Sequence, residues 1–322
     1  MDRWGIVGHE WAVAALRRAL ATDRVPHALL FVGPPGVGKR TLAGAFARAL
    51  QCTAAAVSER PCGSCWPCLQ IASGTYPDVR VITTERVGSG QRQDRRDISI
   101  DQIRALQHQV SLKPYAGRWV VGIVANAHEM SEAAANCLLK TLEEPHPHVV
   151  LILTATDIGQ LLPTIVSRCQ VFALRRLTVA QTEEALVGRF GVEPDRAAIL
   201  ARLSSGRIGW AVRAANDEAV MSLRRQRLDA LLTLLASGRG QRLDSAAALS
   251  EEYGRGVDGR EAVHETLDLW ATWWRDLLLL QEGCAEQIAN ADHLDDLRQA
   301  ARHYPAGQAV ACLNALMAAR EH

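Results

Sequence analysis

The chain opens with apolar positions at helical spacing. Trp11, Ala14, Ala15 and Ala19 share one side of residues 11–21, and Pro26 follows the run. Residues 28–32 (ALLFV) are apolar throughout and predict a short buried strand that enters a glycine-rich turn. Over residues 41–51 a helical period returns, with Leu42, Ala45, Phe46, Ala49 and Leu50 on one side. Residues 76–83 and 119–124 predict two further buried strands. Ser131 is placed to cap a helix running to about Glu144, with Glu132 in its first turn and Pro145 ending it. Residues 149–154, rich in β-branched side chains, predict another strand. Strands alternating with helices imply a parallel α/β sheet.

From about Leu174 the alternation stops and nearly everything reads as helix. Breaks fall at Thr178, 193–195 and 204–209, and helices are predicted over 223–235, 244–252, 261–281, 294–302 and 308–319. Residues 87–97 (VGSGQRQDRRD) have no apolar period and predict an exposed loop. The plan is an α/β domain over 1–174, a small helical domain over 175–215 and a larger all-helical domain over 216–322.

Composition adds exclusions. With 322 residues, 48% of them hydrophobic and 22% charged, the chain reads as a globular protein of two or three domains. Its 36 basic and 35 acidic residues leave a net charge of +1, so there is no bulk electrostatic footprint for nucleic acid or membrane. Contact with DNA must then be local or shared with partners. The first residues, MDRWGIVGHEW, lack a signal-peptide pattern, and the longest apolar stretches, 149–153 and 277–280, are too short to span a bilayer. A cytoplasmic protein is expected.

Gly33-Pro34-Pro35-Gly36-Val37-Gly38-Lys39 lies between a predicted strand and a predicted helix, the setting in which such a loop cradles phosphate. Its glycines let backbone N–H groups converge on phosphate oxygens, and Lys39 can reach the outer phosphates. A Gly/Pro turn that binds nothing is the plainer alternative. The next position departs from the pattern: where a hydroxyl is expected to ligate Mg²⁺, the sequence has Arg40. Thr41 follows, but one helical residue turns a side chain by about 100°. A second departure lies after the strand at 120–124, where a hydrolysing site needs an acidic pair and the chain has Ala125-Asn126. Asn126 can hold a water but cannot take its proton. The two lesions argue against hydrolysis and leave ATP or ADP binding at Gly33, Gly36, Gly38, Lys39 and Thr41 open.

Four of the eight cysteines fall within 17 residues, as Cys52-x9-Cys62-x2-Cys65-x2-Cys68. Two Cys-x-x-Cys steps sharing Cys65, with Cys52 at a helix end, can close a tetrahedral thiolate site for structural zinc. A redox pair is the competing reading, although that motif needs only two cysteines.

Taken together, these residues resemble the bacterial clamp-loader family of AAA+ proteins. The resemblance rests first on His27-Ala28-Leu29-Leu30-Phe31 leading into GPPGVGK, with the cysteine module following. It rests next on Asn136-Cys137-Leu138-Leu139-Lys140-Thr141-Leu142-Glu143-Glu144-Pro145, and on Ser167-Arg168-Cys169 after Pro163-Thr164-Ile165-Val166. These run in order over residues 6–169; a softer signal, Trp270-x-x-Trp273-Trp274, looks like the family's helical collar. The resemblance implies an AAA+ module with a zinc-binding insertion, a small helical lid and an all-α collar. It further implies assembly into a circular hetero-pentamer that loads a sliding clamp onto primed DNA for DNA polymerase III. Expected partners are gamma/tau and delta subunits, the sliding clamp and, through the complex, primed DNA.

Within the family, Arg40 and Ala125-Asn126 favour the hydrolysis-defective delta-prime type over the gamma/tau ATPase type, which stays as the alternative alongside a self-sufficient AAA+ ATPase. In the lid, Gly209 of Gly206-Arg207-Ile208-Gly209 stands where the ATPase subunits have an arginine, and the long extension of a tau form is missing. Ser167-Arg168-Cys169, however, is intact. In the family this arginine reaches the ATP of a neighbouring subunit, so the resemblance implies that Arg168 is a trans arginine finger. Such a finger is worth roughly 10³–10⁵ in rate, or about 4–7 kcal/mol. Without the resemblance, Arg168 reads as a solvated surface arginine.

Thr154 and Thr156 stand where the family has a phosphate-sensing residue, and a structural role fits them equally. His128 reads as a hydrogen-bonded structural histidine. Arg224, Arg225 and Arg227 read as a solvated helix face, and Trp270, Trp273 and Trp274 as core or subunit interface.

Overall fold

Leu29 and Phe31 point to one side of the first strand and Ala28 and Leu30 to the other, and all four are fully buried. A strand can be apolar at every position only when both faces are covered. The computed structural model, which describes residues 3–84, 97–254 and 257–321, shows how this is met. Five parallel strands, β1 (Ala28–Val32), β2 (Val79–Ile82), β3 (Val120–Val124), β4 (Val149–Ala155) and β5 (Gln170–Ala173), lie in the order β2-β3-β4-β1-β5.

Helices α1 (Glu10–Ala21) and α2 (Lys39–Gln51) supply one face, where Leu16, Leu42 and Phe46 pack with Leu29 and Phe31. Helices α4 (Ile100–Ser111) and α5 (Glu132–Glu143) supply the other, where Leu106 and Leu138 pack with Leu30, Leu151 and Leu153. Between α2 and β2 lies the short helix α3 (Trp66–Ala72), and between β4 and β5 the one-turn helix α6 (Pro163–Val166).

Local chemistry sets the helix boundaries. Ser131 Oγ accepts from Ala134 N at 3.2 Å and starts α5 as expected. At α4 the capping is reciprocal: Ser99 Oγ accepts from Gln102 N, and Gln102 Oε1 accepts from Ser99 N at 2.8 Å. Ser99→Ala is expected to cost about 1 kcal/mol, read as a lower urea midpoint with an unchanged slope. Neither α3, α4 nor β5 was anticipated. The strand expected over 76–83 is shorter, and it is an edge strand with Arg80 and Val81 exposed, not a buried one. Of the loop expected over 87–97, all but Asp97 lies outside the described residues.

Residues 1–176 form one compact unit and residues 177–322 a second. In the second, α7 (Val179–Phe190), α8 (Pro194–Leu203) and α9 (Ile208–Asn216) pack on one another. They are followed by α10 (Glu218–Ala236), α11 (Arg239–Tyr253), α12 (Val257–Gln281), α13 (Leu294–His303) and α14 (Ala306–Glu321). Trp270, Trp273 and Trp274 of α12 are buried with Leu228, Leu231, Leu277 and Leu297, so the tryptophans are core. Of the α10 arginines expected on a solvated face, Arg225 is exposed and Arg224 and Arg227 are not. Arg224 is only 4% exposed, and its guanidinium donates to both carboxylate oxygens of Asp292 and to Asn290 Oδ1. Asn290 in turn donates from N and Nδ2 to the fully buried Asp276, at 2.7 and 2.8 Å. Burying a guanidinium is costly unless it is paired and hydrogen-bonded, and these partners supply three hydrogen bonds to its terminal nitrogens. Arg225 and Arg227 pair with Glu218 and Glu265. Among the described residues, no helix is long and apolar enough to cross a membrane.

Candidate nucleotide and metal sites

In an open parallel sheet, ligands bind beyond the carboxyl ends of the strands. The loop after β1 occupies that edge. Gly33 has φ 151°, and a Cβ there would lie 2.1 Å from the carbonyl oxygen of Leu174, so packing alone forbids a side chain. Gly36 and Gly38 have φ of 77° and 102°, in the left-handed region, and Gly38 is the N-cap of α2. Lys39 is buried, and its ammonium donates to the carbonyls of Gly33 and Pro34, the latter at 2.9 Å. Burial lowers its pKa to about 8. Arg40 and Thr41 are both exposed on the first turn of α2.

The neighbouring strand ends complete this edge. Asn126 follows β3 in a left-handed conformation (φ 54°), its N–H donating to Thr154 Oγ1 at 3.0 Å and its Nδ2 to Glu129 Oε1 at 3.4 Å. Thr154 is fully buried near the end of β4 and holds the Asn126 turn, and Thr156 donates to Gln160 Oε1. His128 lies in the 3-10 turn Ala127–Glu129, with Nε2 4.0 Å from Glu129 Oε1. The edge thus has a glycine-rich loop and a buried lysine, with Ala125 and Asn126 at the strand end where hydrolysis would need carboxylates.

Arg168 lies at the opposite edge. Gln170, the first residue of β5, pairs with Leu29, four residues before Gly33, and Arg168 lies in the turn that precedes it. At about 3.3 Å per residue the start of β5 is already roughly 13 Å from Gly33 along the sheet, beyond the reach of one side chain. The guanidinium of Arg168 pairs with Glu143 Oε1 at 2.8 Å and donates to the carbonyl of Thr164 at 2.9 Å and to Ser167 Oγ at 3.4 Å. The role of Glu143 as its partner had no signal in the sequence, because the two residues are distant along the chain and belong to different elements. In the second unit, Arg207 Nε donates to Ser204 O at 3.1 Å, and its guanidinium lies over Trp210.

The four clustered cysteines converge. The Sγ atoms of Cys52, Cys62, Cys65 and Cys68 all lie within 4.8 Å of one another, with Cys52 and Cys65 at 3.9 Å. Zinc–thiolate bonds of about 2.3 Å in a tetrahedron set sulfurs about 3.8 Å apart, so the donor set fits a metal ion such as zinc. Cys52 caps the end of α2, and Cys65 caps α3, which carries Cys68. Two N–H groups point at sulfur: Cys62 N at Cys52 Sγ (3.3 Å) and Cys65 N at Cys62 Sγ (3.2 Å). Donors from Ser64 and Cys65 lower Cys62 to about 6, whereas burial pushes the thiols of Cys52 and Cys68 up. A cation reverses the penalty on the buried pair.

A five-stranded parallel sheet with a glycine-rich loop between an interior strand and the helix that follows it is the arrangement of a P-loop α/β fold. Residues 8–178 match the family model described as DNA polymerase III, delta subunit. The chain belongs to the DNA polymerase III clamp-loader family. The tau subunit of Bacillus subtilis (strain 168) is 38% identical over 57% of this chain and 30% of the relative. That of Escherichia coli (strain K12) is 31% identical over 82% of this chain and 42% of the relative. The delta' subunit of B. subtilis (strain 168) is 28% identical over 88% of this chain and 81% of that protein. The chain therefore spans less than half the length of either tau relative.

Proposed function

We propose that this chain is the delta-prime, or stator, subunit of a DNA polymerase III clamp loader. It assembles with gamma/tau and delta subunits, helps load the sliding clamp onto primed DNA, and places Arg168 against ATP held by a neighbour. The observation that carries this reading is the opposition of two sheet edges. The phosphate-loop edge has no carboxylate at Ala125-Asn126 and an arginine at position 40, while Arg168 lies in the turn at the other end of the sheet, before β5. An arginine so placed cannot serve its own loop and is useful only to another subunit. The reading further takes 1–174 as the AAA+ module, 175–215 as a lid and 216–322 as a collar, with structural zinc in the module at 52–68.

The higher identity to tau subunits favours a second reading, a gamma/tau-type ATPase. The purified chain separates the two. A delta-prime role predicts no steady ATP turnover above background and no change on Lys39→Ala. Turnover that Lys39→Ala abolishes would sink the stator reading.

A further inference from the structure

The contacts of Arg168 are made by its two terminal nitrogens. Nη2 pairs with Glu143 Oε1 at 2.8 Å, while Nη1 donates to Thr164 O and Ser167 Oγ. These are the nitrogens with which a guanidinium grips a phosphoryl group, since carboxylate and phosphate match the same fork. Glu143 is the last residue of α5, and Arg168 follows α6, which packs against α5. The carboxylate is thus presented from a fixed element rather than a free loop. Both side chains are partly open to solvent, at 35% for Arg168 and 49% for Glu143, so an incoming anion can displace the carboxylate without first opening a core.

We propose that Glu143 is a positioning residue that acts through Arg168. It seats the guanidinium against the chain's own surface, and it yields the guanidinium to the phosphoryl oxygens of a nucleoside triphosphate when a neighbouring subunit docks. This rests on the trans role proposed above. Glu143 touches no substrate; it competes with phosphate for Arg168 and so sets how readily the finger engages before the complex is fully assembled on its target. The carbonyl of Thr164 is not a comparable competitor, because it is neutral and part of the same turn.

The test is ATP hydrolysis by the loader reconstituted with its partner subunits, over a range of ATP concentrations, with and without clamp and primed DNA. Glu143→Gln keeps the shape and removes the charge, with Glu143→Ala as a second variant; Glu144→Gln, next along the chain, is the control. A partly exposed ion pair of this kind is worth about two- to five-fold. Glu143→Gln and Glu143→Ala are expected to raise turnover without clamp and DNA by that factor and to lower KM for ATP. Maximal stimulated kcat should be unchanged, and Glu143→Asp should restore wild-type behaviour. The effect should vanish when Arg168→Ala is added. If Arg168→Ala lowers stimulated turnover but the Glu143 variants match wild type or fall below it, the latch is overturned and the finger stands. If Arg168→Ala itself changes nothing, the finger reading fails and the latch with it.

Discussion

Replacing Arg168 by alanine is expected to slow ATP hydrolysis at the adjoining subunit's site by about 10³-fold or more. The measurement is single-turnover hydrolysis in a reconstituted loader with clamp and primed DNA. A guanidinium stabilises charge that develops on the transferred phosphoryl group, so the loss falls on kcat more than on ATP affinity. Arg168→Lys keeps the charge but not the two-pronged fork, and it should recover only part of the rate. The loss cannot be a stability effect, because a surface pair such as Arg168–Glu143 contributes at most about 1 kcal/mol to folding. Wild-type single-turnover rates for Arg168→Ala would remove the finger from the account.

Loss of the metal is the second large effect. Structural zinc in small thiolate modules contributes on the order of 10 kcal/mol to local folding. Cys68→Ser is expected to take the bound metal from one zinc per chain to none. Because the first unit is of ordinary domain size, several kcal/mol lost there corresponds to a fall in Tm of roughly 10 °C. The N-terminal segment should follow the module. The indole N–H of Trp4 donates to Arg60 O at 3.1 Å, and its ring stacks on Phe46, so chelation should red-shift part of the tryptophan emission. Metal analysis that finds no zinc in protein purified under reductant would be decisive against this site.

What the sequence made legible was local. β1, the phosphate loop and α2 follow one another, and each carries its own signal: a continuous apolar run, glycines, then a helical period. The cysteines were readable because a tetrahedral donor set here needs only one helix end and two tight turns. β5 was hidden because only Phe172 of its four residues is buried, which leaves no alternation to detect. The site followed the same rule. Gly33, Gly36, Gly38 and Lys39 could be placed from the loop alone, whereas the opposition of Arg168 to that loop needed the register of β5 against β1. The burial of Arg224 depends on Asn290 and Asp292, 66 and 68 residues further on, and no reading of α10 by itself contains them.

The packing of Gly33 against Leu174 bears on what a glycine-rich loop signifies. Any side chain at position 33 collides with the backbone that continues β5, whether or not phosphate ever enters the loop. Selection for folding alone would therefore retain this glycine in a descendant that had given up nucleotide altogether. The first letter of the motif attests to sheet architecture, and a claim of nucleotide use has to be carried by Lys39 and by the position that Arg40 fills.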